Sequence, residues 1–136
     1  MITSKILIGG QALRQLGSDR YTDDVDYLVC DKSTKQAFMT SEKEDLLNAN
    51  GNKLFAAVYK IEQGNSIASP QSLLELKAYA FVQHCQNFNF KKADACEYDI
   101  KFLVRTFGVK SVKLANKHIS AGELSEVQRI IDSVKL

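Results

Sequence analysis

Residues 6–30 read ILIGGQALRQLGSDRYTDDVDYLVC. An apolar run, Lys5 to Ile8, halts at two adjacent glycines, Gly9 and Gly10. A β-branched and aromatic run, DVDYLVC (24–30), follows after a polar loop, GSDRYTDD. The two runs read as short strands. GQALRQLG, between the first strand and the loop, reads as one or two helical turns ending at Gly17 as a C′ residue. Side chains two apart on a strand share a face. Asp24 and Asp26 therefore stand with Leu28 and Cys30, while Val25, Tyr27 and Val29 take the other side. At about 3.3 Å per residue, the two aspartate Cα atoms lie about 6.7 Å apart.

Two carboxylates so placed can share a divalent cation or hold two of them. Hard oxygen donors suit magnesium or manganese. Without a metal, like charges on one face repel and one pKa rises. The plainer alternative is a strand end whose acids face water. Gly9 and Gly10 have no Cβ to block close approach, and the helix after them offers N–H groups to phosphate oxygens. Their plainer role is a tight strand-to-helix turn. Taken together, a phosphate cradle and a paired-carboxylate metal site make a nucleotide-handling constellation.

The remaining sequence supplies the frame. STKQAFMTSEKEDLLNAN (33–50) reads as helix in one or two pieces, with Asn50–Gly51 as a turn. KLFAAVYKIEQ (53–63) reads as a third strand and GNSIAS (64–69) as a connection. Ser69 as N-cap and Pro70 at the first helical position start a helix running to about Gln86. NFNFKK (87–92) links it to a helix over about Ala93 to Phe107, closed by Gly108. Val109 to Leu136 reads as one short helix and one longer one. The longer is patterned by Glu123, Val127, Ile130, Ile131 and Val134. The fold class expected is α/β (α+β): a small mixed sheet flanked by helices, with a helical C-terminal portion. A chain of 136 residues suits one domain, 1–136, with a sheet core over about 1–65 and a helical part over about 69–136.

Composition narrows the function classes. Eighteen basic and sixteen acidic side chains leave a net charge of +2, which argues against a dedicated nucleic-acid-coating domain. The three cysteines, Cys30, Cys85 and Cys96, form no CxxC pair and suggest neither a disulfide framework nor a zinc site. Each has apolar sequence neighbours and reads as a buried thiol. No apolar run reaches the roughly 18 residues of a membrane span, and the N-terminus lacks a signal-peptide pattern. The expected location is the cytoplasm, with no membrane partner.

IGGQAL followed by RYTDDVDYLV resembles the signature of the nucleotidyltransferase-fold superfamily. It is most similar to the minimal nucleotidyltransferases and to the abortive-infection toxins built on the same domain. ASPQSLLELKAYA and YDIKFLV resemble its later helical blocks, so the resemblance spans about residues 5 to 107. It implies that Asp24 and Asp26 are catalytic and ligate magnesium or manganese. It implies that Gly9, Gly10, Arg20 and Thr22 bind the triphosphate. The reaction would move a nucleotidyl group from an NTP to a protein or RNA hydroxyl, in a toxin–antitoxin or phage-defence setting. The alternative is a degenerate module of the same fold that binds nucleotide or a protein partner without turnover.

Lys77 has Leu73, Leu74, Ala80 and Phe81 as its helical neighbours, so it lies on an apolar stripe. Asp99 lies likewise among Ala95, Cys96, Phe102 and Leu103. A charge on a buried face needs a partner. Lys77 and Asp99 can pair with each other. By the resemblance, Lys77 is a nucleotide-binding residue reaching the phosphates; the two roles are compatible. Active members also carry a third carboxylate on the neighbouring strand. In KLFAAVYKIEQ the one acid is Glu62, with Lys60 two residues earlier on the same face. Either Glu62 serves as ligand or base, or the Lys60 ammonium replaces a metal's charge. His84 and His118 sit in no ligand-spaced group. KSVKLANKH, with Lys91 and Lys92, is the best basic patch.

Overall fold

The computed structural model describes residues 5–30 and 44–135. The protein is mixed α+β and divides into two compact units, Met1–Ser69 and Pro70–Leu136.

The first unit holds β1 (Ile6–Ile8), α1 (Gly9–Gln15), β2 (Val25–Val29), β3 (Glu44–Asn48) and α2 (Lys53–Glu62). The three strands form one mixed sheet in the order β1-β2-β3. β1 runs antiparallel to β2, with Ile6 opposite Leu28 and Ile8 opposite Asp26. β3 runs parallel to β2, with Asp26 beside Asp45 and Leu28 beside Leu47. The other edge of β1 is occupied by residues 66–68: the Leu7 N–H donates to the Ser66 carbonyl at 2.9 Å, and the Ala68 N–H to the Leu7 carbonyl at 3.0 Å. Ile6, Ile8 and Leu28 are buried on one face of the sheet, and Leu7, Val29 and Leu46 on the other.

Two elements differ from the sequence reading. Residues 44–48, expected in a helix, form β3, and residues 53–62, expected as the third strand, form α2. The expected helix over 33–43 lies outside the described residues. Asn52 decides the second case. Its side-chain oxygen accepts from the N–H groups of Leu54 at 2.8 Å and Phe55 at 3.1 Å, an N-cap that starts a helix. Leu54, Val58 and Glu62 then recur four apart and form the buried stripe. Lys60 consequently lies on the exposed side of a helix, not beside an acid on a strand.

The second unit holds α3 (Pro70–Gln86), α4 (Phe90–Phe107) and α5 (Ala121–Asp132), with a short 3-10 turn at Ala115–Lys117. α3 begins at Pro70 and α4 ends against Gly108, whose φ of 71 supplies the left-handed C-cap, as the sequence predicts. α4 starts three residues earlier than expected because Asn89 caps it, accepting from the Lys92 N–H at 3.3 Å. α5 opens with a capping box: Ser120 accepts from the Glu123 N–H at 3.1 Å, and the Ser120 N–H donates to Glu123 at 2.7 Å. Leu73, Leu74, Ala78, Ile100, Leu103, Val127 and Ile130 fill the core of this unit. Among the described residues, no helix is long and apolar enough to cross a membrane.

Candidate functional site

The glycine pair lies where β1 passes into α1. Gly9 has φ 70, a conformation that L side chains rarely adopt. A Cβ placed on it would fall 2.6 Å from Asp26 Oδ2. A Cβ on Gly10 would fall 2.5 Å from the Thr22 methyl and 3.1 Å from Arg20 Nη2. Both positions must therefore be bare, because the chain's own side chains press against them. That use differs from the open cradle the sequence suggests: on these sides Asp26 and Thr22 make the close approach.

The loop carrying Arg20 and Thr22 is fastened to α1. Gln11 Nε2 donates to the Thr22 carbonyl at 2.7 Å, and Arg14 Nη1 to the Arg20 carbonyl at 3.1 Å. The Arg20 N–H donates to Ser18 Oγ at 3.3 Å. Gly9, Gly10, Arg20, Thr22 and Asp26 are thereby gathered at one corner of the first unit. A carboxylate stands against one glycine and a guanidinium against the next.

Asp24 precedes β2 and is exposed; Asp26 lies within the strand and is half-buried. Register then supplies an acid that the sequence reading missed. Asp45 on β3 is the parallel partner of Asp26. Neighbouring strands stand about 4.8 Å apart and partners project to the same face, so the two aspartates are side by side. Glu62, the acid expected in that place, is buried at the end of α2. It accepts from Ser69 Oγ at 2.5 Å and from Asn65 Nδ2 at 3.0 Å. It ties α2 to the segment that pairs with β1, a structural role. Glu44–Asn48, with its two adjacent leucines, carries no periodicity of its own, so Asp45 comes into view only through the β2–β3 register.

Lys77 belongs to the second unit. Its ammonium lies 3.0 Å from Asp99, whose side chain is 1% exposed. Glu75, two residues before Lys77, is another buried carboxylate. Oε1 accepts from the N–H groups of Leu114 and Ala115 at 2.9 and 2.8 Å, and Oε2 from the Lys113 N–H at 2.8 Å and Gln71 Nε2 at 2.7 Å. These four bonds hold the chain between α4 and α5. The cysteines are not all interior: Cys30 is exposed, Cys85 half-buried and Cys96 buried. Burial, followed by the charge of Glu126, pushes the Cys85 thiol up from its ordinary pKa. His84 is pushed down by burial and then by the cations of Lys92 and Lys77. A groove of about 390 Å³ between α3 and α5 is lined by Phe81, Val82, Cys85 and Gly122, none of them a residue implicated by the sequence.

The two acids the register pairs, Asp26 and Asp45, offer carboxylate oxygens, the donors a hard divalent cation takes, while Asp24 stays exposed before the strand. Among the described residues, no three His, Cys, Asp or Glu side chains are drawn together as a ready-made ligand set. No protein-family model, no curated protein and no solved structure matches the chain.

Proposed function

We propose that the chain is a metal-dependent nucleotidyltransferase that moves a nucleotidyl group from a nucleoside triphosphate to a hydroxyl of a protein or RNA. One observation carries the reading: Asp26 stands beside Asp45 on the parallel neighbour strand while its carboxylate lies against Gly9. Asp26 and Asp45, with oxygens of the triphosphate itself, would hold magnesium or manganese, which when bound would offset the charge of the triphosphate and acidify the acceptor hydroxyl. Arg20, poised at Gly10, would pair its planar guanidinium with phosphate oxygens. Thr22 would offer a hydroxyl to the same group. The acceptor oxygen would bond to the α-phosphorus as the bond from that phosphorus to the bridging oxygen breaks. Pyrophosphate would leave, and the hydroxyl proton would pass to the Asp45 carboxylate.

A second reading is favoured by the filling of the glycine faces. Asp26 and Thr22 occupy the space that bare glycines would otherwise open to a phosphate. On that reading the unit binds nucleotide or a protein partner without turnover.

The test is incubation with magnesium, α-labelled NTP and cell lysate, with pyrophosphate release followed in parallel. Transfer is expected with the native chain, and loss of about 100-fold or more in Asp45→Asn, the size of a general-base contribution. Asp26→Asn should lose transfer too. A native chain that gains thermal stability from NTP and magnesium but labels nothing belongs to the second reading. A chain that does neither ends both.

A further inference from the structure

α3 closes in a Schellman turn: the Asn89 N–H donates to the His84 carbonyl at 2.8 Å, and the Phe88 N–H to the Cys85 carbonyl at 3.1 Å. Such a turn needs a left-handed residue at C′, where glycine or asparagine is usual. Here it is Phe88, with φ 58. Every other positive φ among the described residues belongs to a glycine, including Gly108 at the end of the next helix. A left-handed phenylalanine brings its Cβ too close to the following carbonyl oxygen. Burial does not compensate, because Phe88 is 79% exposed and Phe90 60%. The two rings meet edge to face, with centroids 6.3 Å apart and planes at 74°. An unfavourable backbone that presents an aromatic side chain to water points to a use outside the fold.

The charge around the tip indicates what that use is. Lys91 and Lys92 follow Phe90 and are exposed. Lys92 stands near enough to His84, in the last turn of α3, for its charge to help push the imidazole's pKa down. The acids Asp94, Glu97 and Glu126 act on Cys85, and the two lysines next to the rings are the cations nearest Phe90 in the chain. An apolar partner would use the rings but gain nothing from the lysines. A single nucleic-acid strand uses both, with bases on aromatic faces and phosphates on cations.

We propose that the α3–α4 tip is a stacking platform for single-stranded nucleic acid, with bases on Phe88 and Phe90 and the backbone on Lys91 and Lys92. The platform lies wholly within the helical unit and stands whether or not the sheet unit transfers nucleotides.

The experiment is fluorescence anisotropy of the full chain, without NTP or metal, against a labelled single-stranded RNA of about 12 nucleotides. A duplex of the same sequence serves as control. Single strand should bind more tightly than duplex. Phe88→Ala and Phe90→Ala should each weaken binding about 5- to 100-fold. Lys91→Gln with Lys92→Gln should reduce the log–log salt slope by about 1.4, at about 0.7 per phosphate. Phe88→Gly separates binding from folding, because glycine suits the backbone: its melting temperature should not fall, yet its affinity should. The proposal is overturned if Phe88→Gly binds as the native chain does, if duplex binds equally, or if nothing binds. It is overturned equally if the variant changes only self-association in sedimentation, which would make the tip a protein contact.

Discussion

Glu75 in the helical unit is 1% exposed and accepts four hydrogen bonds, three of them from successive backbone N–H groups. Asp26 in the sheet unit is half-buried, and its partner across the parallel ladder is another aspartate. Buried carboxylates persist when the fold brings donors to them. Glu75 is such a case, and its charge is consumed in holding residues 113–115. Like charges directly opposite on adjacent strands repel unless other groups or a cation offset them. The helical unit uses Glu75 to hold backbone it has already folded around; the sheet unit sets two acids side by side at a half-buried corner, where a ligand can reach them.

The sharpest way to break this contrast is to remove one carboxylate from each unit. Glu75→Ala leaves three backbone N–H groups without their acceptor, at about 1–3 kcal/mol each, so a loss of about 5 kcal/mol is expected in chemical denaturation. Asp26→Asn, which keeps the size and hydrogen-bonding reach of a half-buried side chain, should cost far less, on the order of 1 kcal/mol. If Asp26→Asn proves as damaging as Glu75→Ala, Asp26 is a strut and the contrast fails.

Lys77 sharpens the same point. Asp99 is almost wholly buried and the Lys77 head partly so. Lys77→Met takes from the buried Asp99 carboxylate its cation, and about 3 kcal/mol should be lost. Lys77→Met combined with Asp99→Leu should recover most of that loss, because a buried pair is worth little more than apolar side chains of like volume. A double variant no better than the single one would show that Asp99 serves a further partner that leucine cannot.

Gly9 tests the sheet corner itself. Gly9→Ala meets both a left-handed backbone and the Asp26 carboxylate 2.6 Å from the new carbon. A loss of about 2 kcal/mol is expected, about 1 of it from the backbone alone. Adding Asp26→Ala should return the steric part and leave the backbone part. Strict additivity of the two substitutions would mean that they do not touch.

How much of this was legible in the chain depends on how far apart the cooperating residues lie. Gly9, Gly10, Arg20, Thr22 and Asp26 fall within 18 residues, and a strand–turn–strand reading gathers them. The helical unit announced its boundaries through Pro70 and Gly108, and the Lys77–Asp99 pair through helical spacing. Asp45 was hidden because its role exists only once β3 lies beside β2, and five residues with two leucines do not show a periodicity of their own. The apolar letters of KLFAAVYKIEQ suit either a strand or a helix stripe, and the Asn52 cap, two residues before the stripe begins, is what decides between them. Glu75 sat unremarked because the backbone donors that justify it come from about 40 residues away. The left-handed Phe88 has no sequence signal, since glycine or asparagine is what such a turn leads one to expect.

The smallest effect concerns a carboxylate that is structural yet exposed. Glu123 accepts from the Ser120 N–H and from Gln86 Nε2 at 2.6 Å, and these bonds, the Ser120 backbone first, hold its pKa below the ordinary value of 4.5. A depressed folded pKa means that the ionised form favours the folded state. The stabilisation is fully present above pH 4.5 and fades as pH falls through the lower folded pKa. Glu123→Gln should melt slightly below the native chain near neutral pH, and the gap should close on acidification. Because Glu123 sits at the start of α5, where its charge also meets the helix dipole, added salt should shrink the neutral-pH gap as well. Glu75, enclosed by backbone donors, should show no such salt dependence on substitution. A Glu123→Gln gap that survives both acid and salt would mean that the capping box works through shape alone, and that the exposed charge adds nothing to the helical unit.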